Sequence, residues 1–159
     1  MKSIFKFIIS ISLGIIGVII IYVIAKDTFK KNTSAFTDGV AYYDKGQYEA
    51  AEQLFQSEAE KGNRDTYPYL GHIKLVLHKP EEAEKYLLLA LEELKKNPNV
   101  SVKQNVLLNL GSTYLNLGED SKAKIYLKES ISLGNKEAKN LLIKYNLDNV
   151  NKIEGKEIK

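Results

Sequence analysis

The chain of 159 residues has no cysteine, no tryptophan, three prolines and a single arginine, Arg64. The lack of cysteine excludes a disulfide framework and thiol chemistry, and it leaves the cellular compartment open. The scarcity of arginine weighs against nucleic acid as a partner. Residues 1–31 carry five lysines and one aspartate, so the remainder holds 18 basic and 19 acidic side chains. A nearly neutral domain with one arginine is poorly suited to contacting phosphates, and we expect no nucleic-acid partner.

Motifs that carry chemistry are also missing. The sequence has no nucleophile motif, no glycine-rich phosphate loop and no cluster of metal-ligand residues. His72 and His78 are six residues apart, about 120° around a helix, so they do not converge on a metal ion. Glu81, Glu82 and Glu84 open a predicted helix, where carboxylates favour the helix dipole. We therefore expect no catalytic residue, no cofactor and no metal, and predict that the protein is not an enzyme.

One long apolar run is present near the amino terminus. Phe7 to Ala25 are 19 uncharged residues, which at 1.5 Å per residue cross most of the hydrocarbon of a bilayer. The run predicts a transmembrane helix at residues 7–25 that acts as a signal anchor, after a short tail at 1–6 and before a juxtamembrane connector at 26–33. The alternative is a cleaved signal peptide, because Val23-Ile24-Ala25 resembles a cleavage site, although the run exceeds the usual apolar region of about 7 to 15 residues.

The orientation of this anchor rests on its flanking charges. The lysines on the two sides nearly cancel, but the very short leading tail favours residues 1–6 in the cytoplasm and an exported repeat domain. The abundance of lysine, isoleucine and asparagine fits an AT-rich bacterial genome. We expect a single-pass protein of the bacterial inner membrane with an extracytoplasmic domain.

Small residues share one face of the predicted anchor. Ser10, Gly14 and Gly17 fall at i, i+4 and i+7, a spacing that lets another helix approach closely. They predict contact with a partner helix or a second copy of the chain. The alternative is that small residues are merely tolerated there.

Three internal repeats follow the anchor. A glycine precedes an alanine by twelve residues three times, and a large apolar residue follows each alanine by four: Gly39, Ala51 and Phe55; Gly71, Ala83 and Leu87; Gly111, Ala123 and Leu127. Apolar residues at helical spacing on both sides of Gly118 predict two helices folded on each other. The first two glycines are 32 residues apart and the next two 40, so eight residues are inserted around Asn97-Pro98.

This unit resembles a tetratricopeptide repeat, which pairs Leu-Gly and a following Tyr with a later Ala-x3-Phe. Leu110-Gly111-x2-Tyr114 with Ala123-x3-Leu127 fits best, whereas Lys74 replaces the tyrosine of the middle repeat. Glu60 to Asn63 also resemble the related Sel-type repeats. The resemblance implies an all-α fold: a right-handed α-solenoid of about three helix pairs plus a capping helix at residues 34–147, preceded by the transmembrane helix. A flexible charged tail at 148–159 follows.

The resemblance also implies a protein-binding groove lined by the first helix of each pair. The side chains expected to face it are Val40, Tyr43, Asp44, His72, Leu75, Val76, Asn109, Ser112, Leu115 and Asn116. The best-known variant of the family grips a terminal carboxylate with lysines and asparagines. Phe36 and Val40 occupy the places where the first repeat would need them, so we expect an internal or amphipathic segment, bound with micromolar affinity.

These observations predict a membrane-anchored interaction module: a scaffold, an assembly factor or a chaperone-like adaptor. One alternative is a subunit of a membrane complex that contacts its partners, or a second copy, mainly through the anchor helix. A second alternative is an enzyme subunit whose active site has no recognisable motif in the sequence.

Overall fold

The computed structural model describes residues 15–22 and 35–148, and all regular structure within those ranges is helical. A 3-10 turn at Arg64–Thr66 precedes α4. The helices are α1 at residues 15–22, α2 at Ala35–Asp44, α3 at Tyr48–Glu60, α4 at Tyr67–Val76, α5 at Pro80–Lys96, α6 at Val100–Asn116, α7 at Asp120–Ser132 and α8 at Lys136–Lys144.

The helices pack as successive pairs. Helix α2 packs on α3, α4 on α5, and α6 on α7, while α8 packs on α7 as the expected cap. Neighbouring pairs meet through α3 with α4 and α5 with α6, and the first helices α4, α6 and α8 contact one another in turn. Stacking of each pair on its neighbours is the arrangement of an α-solenoid. The right hand of the superhelix stays a prediction.

Glycine allows the two helices of a pair to approach closely. A Cβ atom added to Gly111 would lie 2.5 Å from Leu127 Cγ, and one added to Gly71 would lie 2.5 Å from Leu87 Cγ. A Cβ atom added to Gly39 would lie 2.9 Å from Phe55 Cε1. The alanines of the repeats, Ala51, Ala83 and Ala123, are completely buried. The prediction that the small residues lie where paired helices meet is confirmed.

The turn after the first helix of each pair needs a left-handed residue. Gly46 and Gly118 have φ values of +70° and +72° there. His78 occupies the equivalent place in the middle repeat with φ of +56°, a conformation that strains a residue with a side chain.

Helices α5 and α6 are longer than the others because of the insertion. Each has 17 residues, against 9 to 13 for α2, α3, α4, α7 and α8. The added start of α6 is capped by Asn99, which accepts from the Val102 amide at 3.1 Å. A hydrogen bond of 2.7 Å joins this part of α6 to α7, because Ser130 Oγ donates to the Gln104 carbonyl. The place of the insertion was predicted, but the added start of α6 was not.

A lysine is buried between the first two repeats. Lys74 on α4 is 4% exposed, and its ammonium lies 2.7 Å from Glu52 Oε1 on α3 and bonds Glu82 on α5. Burial alone would lower the pKa of Lys74, but the hydrogen bonds with Glu52 and Glu82 raise it. At the next junction Tyr114 donates to Glu84 Oε1 at 2.6 Å. Glu82 and Glu84 therefore do more than complement the helix dipole, and the lysine that departs from the repeat pattern holds two repeats together.

The amino-terminal predictions fall largely outside the described residues. This applies to residues 1–14 and 23–34, including Ser10 and Gly14. In α1 the large apolar side chains are 51% to 69% exposed, and no atom of another described element lies within 4 Å of a Cβ built on Gly17. Among the described residues, no helix is long and apolar enough to cross a membrane. The predicted limits of the anchor, the connector, the repeat domain and the tail stay predictions.

Candidate functional site

A groove of about 960 Å³ lies on the side of the molecule formed by α2, α4 and α6. The carboxyl-terminal half of α5 closes one wall of it. The lining residues are Phe36, Tyr43, Asp44, Arg64, Asp65, Pro68, Tyr69, His72, Ala90, Glu93, Leu94, Lys96, Asn97, Pro98, Asn99, Val102, Asn105, Val106 and Asn109. A concave site of this size, with apolar, amide and charged side chains, is suited to holding a ligand.

The inserted residues build one wall of this groove. Glu93, Lys96 and the Asn97–Asn99 loop belong to the extended end of α5 and its connection, and Val102 belongs to the added start of α6. The longer α5 and α6 therefore reach past the ends of the shorter helices, and the groove forms beside them. The change in repeat spacing was the feature of the sequence that could have located this wall.

Phe36, Tyr43, Tyr69 and His72 form an aromatic wall of the groove. The centroid of the Tyr43 ring lies 5.2 Å from that of Tyr69 and 5.5 Å from that of His72, and both pairs pack edge to face. The Tyr43 hydroxyl and His72 Nδ1 form a hydrogen bond of 2.7 Å between α2 and α4. Burial raises the pKa of Tyr43 to about 12, with smaller contributions from Tyr48, Tyr69 and Asp44. Burial also lowers the pKa of His72, so both rings are neutral at pH 7.

Of the two histidines, only His72 lines the groove. The ring is half-buried because it packs against Tyr43 and Tyr48. His78 is exposed. In residues 15–22 and 35–148 no group of three or more His, Cys, Asp or Glu side chains could hold a metal ion. The absence of a metal from the whole protein stays a prediction.

Of the three carboxylates that line the groove, only that of Glu93 lies in an ion pair within the described ranges. Glu93, 19% exposed, lies 3.7 Å from Arg64 Nε and 3.5 Å from Lys96 Nζ. The carboxylates of Asp44 and Asp65 form no ion pair with any residue of the described ranges. Both are exposed to solvent, and they remain available to a ligand.

Two side-chain amides on α6 are also available. Asn105 and Asn109 lie one turn apart on the groove side of that helix. Within the described ranges neither amide group takes part in a hydrogen bond. By contrast, Asn97 donates to Glu93 and Asn99 caps α6. Asn105 was not predicted as a site residue, because the added start of α6 was not recognised.

The structure places four of the ten predicted groove residues in the groove: Tyr43, Asp44, His72 and Asn109. Val40, Leu75 and Leu115 are half-buried and pack against the two core clusters. Ser112 is half-buried and bonds the Leu108 carbonyl of its own helix at 3.1 Å, while Val76 and Asn116 are exposed. The groove lies nearer the amino-terminal ends of α4 and α6 than predicted, because the α5–α6 extension walls it there. Partner binding by the ten residues stays a prediction.

Comparison with known proteins identifies one repeat. The profile of the tetratricopeptide repeat matches residues 105–137, which span most of α6, all of α7 and the start of α8. No curated protein matches the chain. Tetratricopeptide repeats generally bind protein partners and are generally not catalytic. The glycine and alanine contacts of α6 with α7 recur in the two preceding helix pairs. Residues 105–137 therefore form a repeat of the tetratricopeptide family.

Proposed function

We propose that the protein is a membrane-anchored interaction module that holds a segment of another protein in the groove between α2, α4, α5 and α6. The observation that carries this proposal is the groove itself, which is lined by packed aromatic rings and by two asparagines whose amides form no hydrogen bond within the described ranges. Its role would be that of a scaffold, an assembly factor or a chaperone-like adaptor.

The lining suits a peptide segment better than a small molecule. An asparagine side chain offers both a donor and an acceptor, so Asn105 and Asn109 together match the N–H and C=O groups of an extended backbone. Phe36, Tyr43 and Tyr69 offer apolar surface for side chains of the same segment. Phe36 packs edge to face on Tyr69 at 5.8 Å, where a clamp for a terminal carboxylate would need a polar side chain. We therefore propose an internal segment as the ligand.

The anchor is the second part of the proposal. The uncharged run at residues 7–25 is long enough to cross a bilayer. The exposure of the apolar side chains of α1 supports this, since they lack cover from the helical repeats. We propose that the repeat domain lies outside the cytoplasm of a bacterial cell. Tethering raises the local concentration of a partner at the same membrane, which compensates for micromolar affinity.

The test removes the two amides without disturbing the fold. Asn105→Ala with Asn109→Ala deletes hydrogen-bonding groups from helical positions where alanine is well tolerated. Asn140→Ala, at an exposed position of α8 outside the groove, is the matched control. Full-length protein carrying each change is captured from crosslinked, detergent-solubilised membranes. The double variant should lose at least one partner that the wild type and the control retain.

Asn116→Ala separates the predicted groove from the observed one, because Asn116 is on α6 but outside the groove lining. We expect this variant to keep the partner. If all variants keep the same partners while their helicity and melting temperatures are unchanged, the groove is not the binding site.

A further inference from the structure

The charges of the groove are not balanced. Its lining contains three carboxylates and two basic side chains. Both basic groups, Arg64 and Lys96, lie against the one carboxylate of Glu93. The lining therefore has one more acidic than basic side chain, and Asp44 and Asp65 have no ionic partner in the described ranges.

The position of Asp44 is unfavourable for the helix that carries it. It is the last residue of α2, and the last turn of that helix contains no basic residue. A carboxylate at the carboxyl terminus opposes the helix dipole and destabilises that end of the helix. Asp65 lies in the 3-10 turn that precedes α4, so this cost does not apply to it. The local cost at Asp44 is offset when a cation binds beside it.

Aromatic rings lie next to these carboxylates. Tyr43 adjoins Asp44 in sequence, and Tyr69 and Phe36 line the same groove. The long aliphatic stem of lysine or arginine packs on such rings, and its cationic head is attracted by their faces. The carboxylates and rings together offer a basic side chain both charge and apolar contact.

We propose that the groove selects segments that carry lysine or arginine next to an apolar side chain. This inference rests on the proposed function, since it assumes that a protein segment occupies the groove. The overall charge of the chain does not explain the preference, because at +3 the whole protein would repel a basic peptide.

The test compares three end-blocked, fluorescently labelled peptides of equal length. They share their leucines and serines and differ in carrying lysine, glutamine or glutamate at the remaining positions. Binding to the full-length protein in detergent is followed by fluorescence anisotropy, with empty micelles as the blank. We expect the lysine peptide to bind about tenfold tighter than the glutamine peptide, and the glutamate peptide to bind weakest. The advantage of the lysine peptide should shrink as salt is added.

Substitutions then locate the preference. Asp44→Asn and Asp65→Asn should each weaken the lysine peptide about threefold, and together about tenfold, the size of two exposed ion pairs. Glu49→Gln with Glu60→Gln makes the same change in net charge at exposed positions of α3 outside the groove, and should leave binding unchanged.

The outcomes separate the inference from the proposed function. If the three peptides bind equally, and Asn105→Ala with Asn109→Ala weakens all of them, the groove binds segments without a preference for basic ones. If the lysine peptide binds with the same affinity to both aspartate variants as to the wild type, its binding site is elsewhere and the inference is wrong. If no peptide binds, both the inference and the groove as a peptide site are overturned.

Discussion

The buried lysine between the first two repeats allows a quantitative prediction. Lys74→Met removes the ammonium and leaves an apolar side chain of similar length. Glu82 is 51% exposed and will be solvated, but Glu52 is only 14% exposed and loses its ion pair. Removing one partner of a fully buried pair costs roughly 3–5 kcal/mol. Because Gln56 still donates to Glu52 at 2.9 Å, we expect a smaller loss, about 2–3 kcal/mol.

The measurement is thermal unfolding of the full-length protein, followed by circular dichroism. The expected loss corresponds to a fall of roughly 10 °C in melting temperature. Adding Glu52→Gln to Lys74→Met should lower the stability little further, because an uncharged amide then replaces the carboxylate that has lost its ion pair. Lys74→Tyr should recover part of the loss, since Tyr114 makes the equivalent bond to Glu84.

The pH dependence of this stabilisation has a definite sign. The raised pKa of Lys74 contributes stability that is complete below its unfolded pKa of about 10.4 and is lost as pH rises through the folded value. The pKa of Glu82 is lowered, chiefly by its hydrogen bond with Lys74. Its contribution is present above about pH 4.3 and is lost as pH falls through the folded value. The difference between wild type and Lys74→Met should be constant between these limits. Equal melting temperatures at pH 7 would refute the structural role of Lys74.

Three further predictions concern packing, the turn and the anchor. Gly111→Ala should destabilise by about 1–3 kcal/mol, because its Cβ would meet Leu127 Cγ at 2.5 Å, whereas Asn116→Ala on the same helix should be nearly neutral in thermal unfolding. His78→Gly should raise stability by about 0.5–1 kcal/mol by relieving a left-handed conformation; a lower melting temperature would contradict the strain. Full-length protein should stay in the membrane pellet through alkaline carbonate washing, and protease outside spheroplasts should digest the repeats, whereas a soluble form beginning at Lys26 would show a cleaved signal peptide.

Much of the helical framework follows from local features of the sequence. The spacing of Gly111 from Ala123 fixes where two helices touch, since a side chain at Gly111 would collide with Leu127. Gly134 and Asn135 mark a helix boundary because the glycine takes φ of +96° and the asparagine caps α8 through the Ala138 amide at 3.0 Å. Such rules need no knowledge of distant contacts, so the helix pairs could be predicted.

The features that were missed depend on contacts between repeats. The added start of α6 is held by Ser130 and Gln104, which are 26 residues apart, and no local pattern shows that contact. The burial of Lys74 depends on carboxylates from two other helices. Four of the predicted positions line the groove because α2, α4 and α6 contribute to it. The position of the groove along those helices could not be predicted, because the wall from α5 is not part of the regular repeat.

The most direct test of the groove as a binding site is crosslinking from within it. A photoreactive amino acid replaces Asn109 in the groove or Asn140 outside it, in full-length protein in living cells. From position 109 we expect crosslinks to one defined internal segment of another protein, and a synthetic peptide of that segment should compete with them. Position 140 should not give this product. Crosslinks from position 109 only to this chain itself, or the same products from both positions, would contradict a partner-binding groove.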